Sequence, residues 1–84
     1  MSAANIDEER ITARGLRPPG PLLIVRKRLR ETDRARLRII VSSREAADEI
    51  VAYLVARGAR AEVDLAGEDY HVIADISRCK DVDR

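Results

Sequence analysis

The pattern of apolar and polar positions divides the chain into four short strands and two helices. Apolar and polar residues alternate over residues 10–14, 37–42, 60–65 and 70–76, which is the period of a half-buried strand. Apolar residues recur at three- and four-residue spacing after Pro21 and after Ser42, as in an amphipathic helix. The order strand, helix, strand, helix, strand, strand predicts an α+β two-layer sandwich, with two helices on one face of a four-stranded mixed sheet.

The first helix is expected to begin with Pro21 at its first position, where the missing N–H would have had no partner anyway. It should end near Thr32 and Asp33, with three basic residues pointing away from the core: Arg26, Lys27 and Arg30. Its predicted buried stripe is Leu22, Val25 and Leu29, widened by Leu23 and Ile24.

The second helix carries the clearer end signals. Ser42 followed by Glu45 has the spacing of a capping box, and Gly58 is expected to end the helix. The predicted buried stripe of this helix is Ala47, Ile50, Val51, Leu54 and Val55.

The strands should place one set of side chains towards the helices. This set is Leu37, Ile39, Val41, Ala61, Val63, Leu65, Val72, Ala74 and Ile76. The opposite face is expected to expose Ile40 and Ile73 among charged residues. Residues 66–69 read as a hairpin turn. We predict a folded domain over residues 10–77, a disordered N-terminal tail over 1–9 and a flexible C-terminal tail over 78–84.

Composition excludes several classes of function. Eighty-four residues suffice for one small domain, and its apolar residues are almost all aliphatic, with aromatics at only 2%. Base stacking on nucleic acids is therefore hard to supply. The single Cys79 and single His71 exclude an internal disulfide and predict neither a metal site nor a cofactor. No apolar run is long enough to span a membrane and no secretory signal is present, so we expect a cytoplasmic location without membrane contact.

Charge is unevenly distributed along the chain. The whole chain has a net charge of +1, yet residues 14–38 contain nine Lys and Arg against two Asp and Glu. Such a bipolar surface favours an acidic partner or head-to-tail self-association, although basic residues can also simply keep a helix face soluble.

A proline-rich turn precedes the basic helix. Residues 15–22 read Gly-Leu-Arg-Pro-Pro-Gly-Pro-Leu, and this stretch should place the positive end of a helix dipole and its N–H groups at one exposed spot. A nucleophile or an anion is expected at such a place.

These residues resemble the TusA/SirA-like family of small sulfur-carrier proteins, whose signature is Gly-Leu-x-Cys-Pro-x-Pro followed by a helix with paired basic residues. Here Gly15 and Leu16 match, as do the two prolines Pro19 and Pro21, and the basic pair is Arg26-Lys27. Glu49-Ile50 also fits the family. The resemblance extends over residues 11–76 and implies a fold like that of the C-terminal domain of translation initiation factor three.

One departure falls on the signature cysteine. The resemblance implies that this cysteine carries sulfur as a persulfide, since a helix N-terminus favours the reactive thiolate. Position 18 of this chain is proline, and Ser43-Arg44 replaces the Asp-Pro that often begins the family's second helix. We therefore predict a non-catalytic member of the family, a protein-interaction or regulatory module rather than an enzyme.

The predicted partner is an acidic protein. The residues expected to contact it are Arg14, Arg17, Pro18, Pro19, Pro21, Arg26, Lys27 and Arg30. Two alternatives stay open: RNA or other nucleic-acid binding through the basic first helix, and a sulfur relay through Cys79 or a partner's thiol. His71 is interpreted as a solvated surface residue, and the oligomeric state is left open.

Overall fold

The computed structural model describes residues 8–77, and its elements follow the predicted order. Residues 1–7 and 78–84 lie outside the described residues, and so do most of the predicted N-terminal tail, the whole predicted C-terminal tail and Cys79. The elements are β1 (Glu8–Thr12), α1 (Gly20–Glu31), β2 (Arg36–Val41), α2 (Arg44–Ala56), β3 (Arg60–Ala66) and β4 (Asp69–Asp75).

The four strands form one mixed sheet in the order β1-β2-β4-β3. Strand β1 runs parallel to β2, because α1 crosses over between them, and the other two pairs are antiparallel. Strands β3 and β4 are joined by a two-residue hairpin turn in which Gly67 adopts a positive φ of 66°. The predicted α+β sandwich is confirmed.

Both helices pack on the same face of the sheet. Val25 of α1 and Ile50 and Leu54 of α2 share one core with the inward-facing residues of β2 and β4. Alternation along β2 and β4 places their fully buried side chains on this side: Leu37, Ile39, Val41 and Val72. Neither described helix is long and apolar enough to cross a membrane.

Strand β1 begins two residues earlier than predicted. Glu8 pairs with Arg38 of β2, with Oε2 and Nε 3.2 Å apart. Glu9 forms a salt bridge with Arg28 and accepts a hydrogen bond from the Thr32 hydroxyl at 2.6 Å. These contacts hold both residues in the sheet, so the tail predicted over residues 1–9 was wrong at its last two positions. The Thr32 hydrogen bond, together with Arg28, lowers the pKa of the Glu9 carboxyl below its ordinary value.

Both helix starts differ from the prediction by one residue. The N-cap of α1 is Pro19, so Pro21 occupies the second helical position and not the first. The N-cap of α2 is Ser43, whose hydroxyl accepts a hydrogen bond from Ala46 N–H at 3.1 Å. The capping box predicted from Ser42 was therefore wrong. Gly58 follows α2 with a φ of 96°, which confirms the predicted stop.

Several aliphatic residues lie where the simple pattern did not place them. Leu23, Val55 and Leu65 were predicted to face the core but are more than half exposed. Leu65 belongs to the edge strand β3 and lies next to the hairpin, away from the centre of the sheet. Ile40 was predicted to be exposed and is only 8% exposed, on the face opposite the helices.

Candidate docking site

The proline turn, which we define as residues 15–20, is fixed to β2 at its start. Gly15 takes a positive φ of 80°, where a side chain would be strained. Its backbone N–H donates to the Ser42 hydroxyl at 2.9 Å, and Ala13 N–H just before it donates to the Ile40 carbonyl at 2.8 Å. The turn therefore starts from a defined position beside the end of β2.

The end of the proline turn is fixed by α1 itself. Gly20 N–H donates to the Arg17 carbonyl at 2.8 Å, and Leu23 N–H donates to the Pro19 carbonyl at 3.0 Å as the first helical bond. The Pro18–Pro19 peptide bond is cis. A methyl group at position 20 would lie 3.4 Å from Leu16 Cβ, so Leu16 packs over the start of the helix.

The N-terminus of α1 offers few hydrogen-bond donors. Of its first four backbone positions, Pro19 and Pro21 have no N–H, and the Gly20 N–H is used within the turn. Among these four positions, only Leu22 keeps a backbone N–H that is not used within the turn. The expected cluster of N–H groups is thus reduced, and the aligned peptide dipoles of α1 supply what remains of the helix's positive end. The first turn of α1 contains no acidic residue that would offset it.

One side of α1 is both basic and exposed. Leu23, Arg26, Lys27 and Arg30 are spaced three and four residues apart, so they share a single face, which we call the basic face. All four side chains are exposed. None of its three cations forms a salt bridge with another residue of the range 8–77. Arg28 on the same helix instead turns towards β1 and binds Glu9.

The predicted contact residues separate into three groups. Arg17, Pro18 and Pro19 are exposed on the proline turn, next to the basic face. Arg14 is exposed but paired with Asp69 at the start of β4, with Nε and Oδ2 3.3 Å apart. Pro21 is fully buried, because the second position of α1 faces the core. We therefore correct the prediction for Pro21, which supports the turn from inside and cannot contact a partner.

Two exposed leucines were not among the predicted contact residues. Leu16 of the proline turn is 44% exposed and Leu23 of the basic face is 53% exposed. The three- and four-residue spacing of Leu23 from Arg26, Lys27 and Arg30 is the signal by which sequence reasoning could have found that it lies on the outer side of the helix. They add apolar area to a surface that otherwise carries positive charge.

His71 is less solvated than predicted. It lies half-buried on β4, and its Nδ1 is 3.0 Å from Nη1 of Arg38. Arginine can only donate, so His71 Nδ1 accepts this hydrogen bond. Within residues 8–77, no three His, Cys, Asp or Glu side chains cluster in a way that would hold a metal ion.

One family model and one solved structure are similar to this chain. The family model described as "Sulfurtransferase TusA" matches residues 9–75, from β1 to the end of β4. The crystal structure of a SirA-like protein from Desulfitobacterium hafniense superimposes with a TM-score of 0.71, covering 79% of this chain and 93% of that chain. Sequence identity is 19%, so this likeness establishes the fold. No curated protein matches the chain significantly in sequence.

Proposed function

Because the chain belongs to the TusA sulfurtransferase family, we propose that it is a non-catalytic member that binds an acidic protein through the proline turn and the basic face. The main support is the basic face, whose three exposed cations form no salt bridge within residues 8–77. This face lies beside the proline turn, which hydrogen bonds hold in place at both ends. Such a surface supports an intermolecular contact, because three like charges grouped on one helix face are available to an acidic partner.

The sequence at the turn supports a role without catalysis. Sulfur transfer as a persulfide needs a thiolate, and residue 18 is proline. The chain's single cysteine, Cys79, lies beyond the residues matched by the family model. The Ser42 hydroxyl, which accepts a hydrogen bond from the Gly15 N–H, does not replace a thiol, because an alcohol oxygen cannot carry sulfur as a persulfide.

The chemistry of the surface defines the partner. Arg26, Lys27 and Arg30 favour a cluster of Asp and Glu side chains, and the positive end of the α1 dipole adds to the same potential. Leu16 of the proline turn and Leu23 of the basic face add exposed apolar area to this positively charged surface. We infer an acidic protein surface that also carries exposed aliphatic or aromatic residues.

Affinity capture from the native cell tests this proposal. The bait is the full chain, compared with Lys27→Glu on the basic face and with Arg44→Glu at the start of α2. Both substitutions change the net charge equally at exposed positions, and Arg44 lies on the other helix. An acidic protein retained by the wild type and by Arg44→Glu, and lost with Lys27→Glu, supports the proposal. Equal capture by all three baits contradicts it.

Two further arms separate the alternatives. Nuclease treatment before capture removes partners held through RNA or DNA, so a signal that disappears with nuclease identifies nucleic-acid binding. A Cys79→Ser bait removes the chain's only thiol. We expect unchanged capture from it, whereas loss of the partner would indicate a sulfur relay through Cys79.

A further inference from the structure

The face of the sheet opposite the helices, which we call the open face, carries charges in a self-complementary order. Strand register places three rows of side chains across it, each read in the order β1, β2, β4, β3. The rows are Glu8, Arg36, Asp75, Arg60; then Arg10, Arg38, Ile73, Glu62; then Thr12, Ile40, His71, Asp64. In the last two rows the arginines lie on β1 and β2 and the acidic residues lie on β3. In the first row the edge charges are reversed, with Glu8 on β1 and Arg60 on β3.

The centre of the open face is partly apolar, since two isoleucines share it with Arg38 and His71. Ile40 on β2 and Ile73 on β4 occupy adjacent rows on either side of the midline between these two strands. Ile40 is 8% exposed although it is not part of the core beneath the helices, and Ile73 is half-buried. Ile73 is the apolar part of this centre that another copy can contact, because Ile40 is already covered within its own chain.

We propose that two copies of this chain pair through their open faces, around a two-fold axis parallel to the strands. Such an axis lays β1 of one copy over β3 of the other and β2 over β4, and it keeps each row aligned with the same row. Glu8 then faces Arg60 of the other copy, Arg10 faces Glu62, and Arg36 faces Asp75. Ile73 then faces Arg38 of the other copy and Ile40 faces His71, so the isoleucines of the two copies lie in adjacent rows close to the axis.

Some of these charges have no salt bridge within one chain, whereas Glu8 pairs with Arg38 and Asp75 lies between Arg36 and Arg60 in its row. Among residues 8–77, Arg10, Arg36, Arg60 and Glu62 form no salt bridge. Arg10 and Glu62 lie on opposite edges of the sheet, three strand spacings of about 4.8 Å apart, or roughly 14 Å. This separation exceeds the screening length of about 8 Å at physiological salt, so the two residues of one chain do not satisfy each other.

The size of the open face predicts a weak dimer. Four strands at about 4.8 Å spacing and about seven residues at 3.3 Å each give on the order of 400 Å² per copy. A total near 800 Å² lies at the lower end for specific contacts, so association should depend on concentration and weaken with salt. At one end of the face, a shallow groove of about 370 Å³ beside Arg36, Arg60 and Ile73 leaves room for side chains of the other copy.

Sedimentation equilibrium at low salt tests the proposal, over chain concentrations from about 10 µM to about 1 mM. The wild-type mass should rise from the 9.4 kDa of one chain towards twice that value. Arg10→Glu and Glu62→Arg should each weaken association about tenfold or more, because the two-fold axis turns each substitution into two like-charge contacts. Both residues are exposed, and circular dichroism with thermal melting verifies that the variants fold.

An equimolar mixture of Arg10→Glu and Glu62→Arg provides the most specific test. Across the proposed axis, each substituted position in one variant faces an opposite charge in the other, so the mixture should associate as well as the wild type. Lys27→Glu, on the basic face, should leave association unchanged, which separates this proposal from the partner-binding function. A wild type that stays monomeric, variants that associate normally, or a mixture that fails to associate would each overturn the proposal.

Discussion

The Ser42 hydroxyl accepts a hydrogen bond from the Gly15 backbone N–H, with 2.9 Å between oxygen and nitrogen. This bond joins residues 27 positions apart and connects the end of β2 to the start of the proline turn. The hydroxyl of the next residue, Ser43, instead accepts a hydrogen bond from the Ala46 N–H and so caps α2. Two adjacent serines therefore hold two different parts of the domain.

Ser42→Ala should loosen the proline turn without affecting α2. We expect the Gly15 amide proton to exchange faster with solvent and unfolding to require about 1 kcal/mol less, because an exposed neutral hydrogen bond is lost. Ser43→Ala is the matched control, and it should lower the free energy of unfolding by about 1 kcal/mol because the N-cap of α2 is lost. In Ser43→Ala, the Gly15 amide proton should exchange at the wild-type rate. Faster exchange of this proton in both variants would contradict the assignment of Ser42 alone to the proline turn.

The two serines also show where sequence reasoning reached its limit. The Ser42-x-x-Glu45 spacing is a genuine capping signal, but Ser43 stands one residue later and has the extended backbone of an N-cap. Which hydroxyl caps the helix depends on where β2 ends, and a tertiary contact with Gly15 occupies the other one. Local spacing contains no information on that contact.

The element order and the inner face of the sheet were predictable because strict alternation and helical spacing persist over whole elements. Leu37, Ile39 and Val72 are buried as the pattern required. Leu23 and Leu65 were misplaced because their exposure depends on helix orientation and edge position. For the site, the sequence identified the turn and the basic residues, but burial of Pro21 required the three-dimensional packing of α1.

A pair of leucine substitutions tests this distinction between core and edge. Leu54→Ala should lower the free energy of unfolding by about 2–5 kcal/mol, because Leu54 is fully buried and its loss leaves a cavity. Leu65→Ala, at 65% exposure, should change it by less than about 0.5 kcal/mol. Urea denaturation measures both, and comparable losses would mean that β3 packs differently from the structure.

Glu9 should make stability depend on acid pH. Its pKa is lowered from the ordinary value of 4.5, first by the Thr32 hydroxyl and further by Arg28. The folded state therefore favours the carboxylate, and this stabilisation is fully present above pH 4.5 and lost as the pH falls through the lower folded pKa. Glu9→Gln should be less stable than the wild type at neutral pH, with a difference that shrinks below pH 4.5.

Urea denaturation at several pH values measures this difference. NMR titration of the Glu9 carboxyl gives the second readout: Thr32→Val removes the largest cause and should move the pKa up towards 4.5. A constant difference between wild type and Glu9→Gln from neutral to acid pH would show that the carboxylate contributes no such stabilisation.

Pro18→Cys should create a thiol with a lowered pKa. The residue lies just before α1, whose first turn carries no acidic side chain, so the positive end of the dipole favours a thiolate. We expect a pKa below the reference value of about 8.5. Glu31→Cys, at the opposite end of the same helix, should show a higher pKa than Pro18→Cys.

Both variants are made in a Cys79→Ser background, so that each chain has a single thiol. Thiolate absorbance followed against pH gives the two pKa values. Equal values for the two positions would mean that the proline turn does not direct the positive end of α1 at residue 18.

The measurement that tests the central claim most directly is a binding titration of the captured acidic partner, purified, against three forms of the chain. We expect Lys27→Glu to weaken binding by about tenfold or more, because an attraction at the centre of the basic face becomes a repulsion. Arg44→Glu, with the same change in net charge, should weaken it by less than about twofold. If both variants weakened binding equally, the partner would be responding to overall charge, and the basic face with its proline turn would not be the docking site.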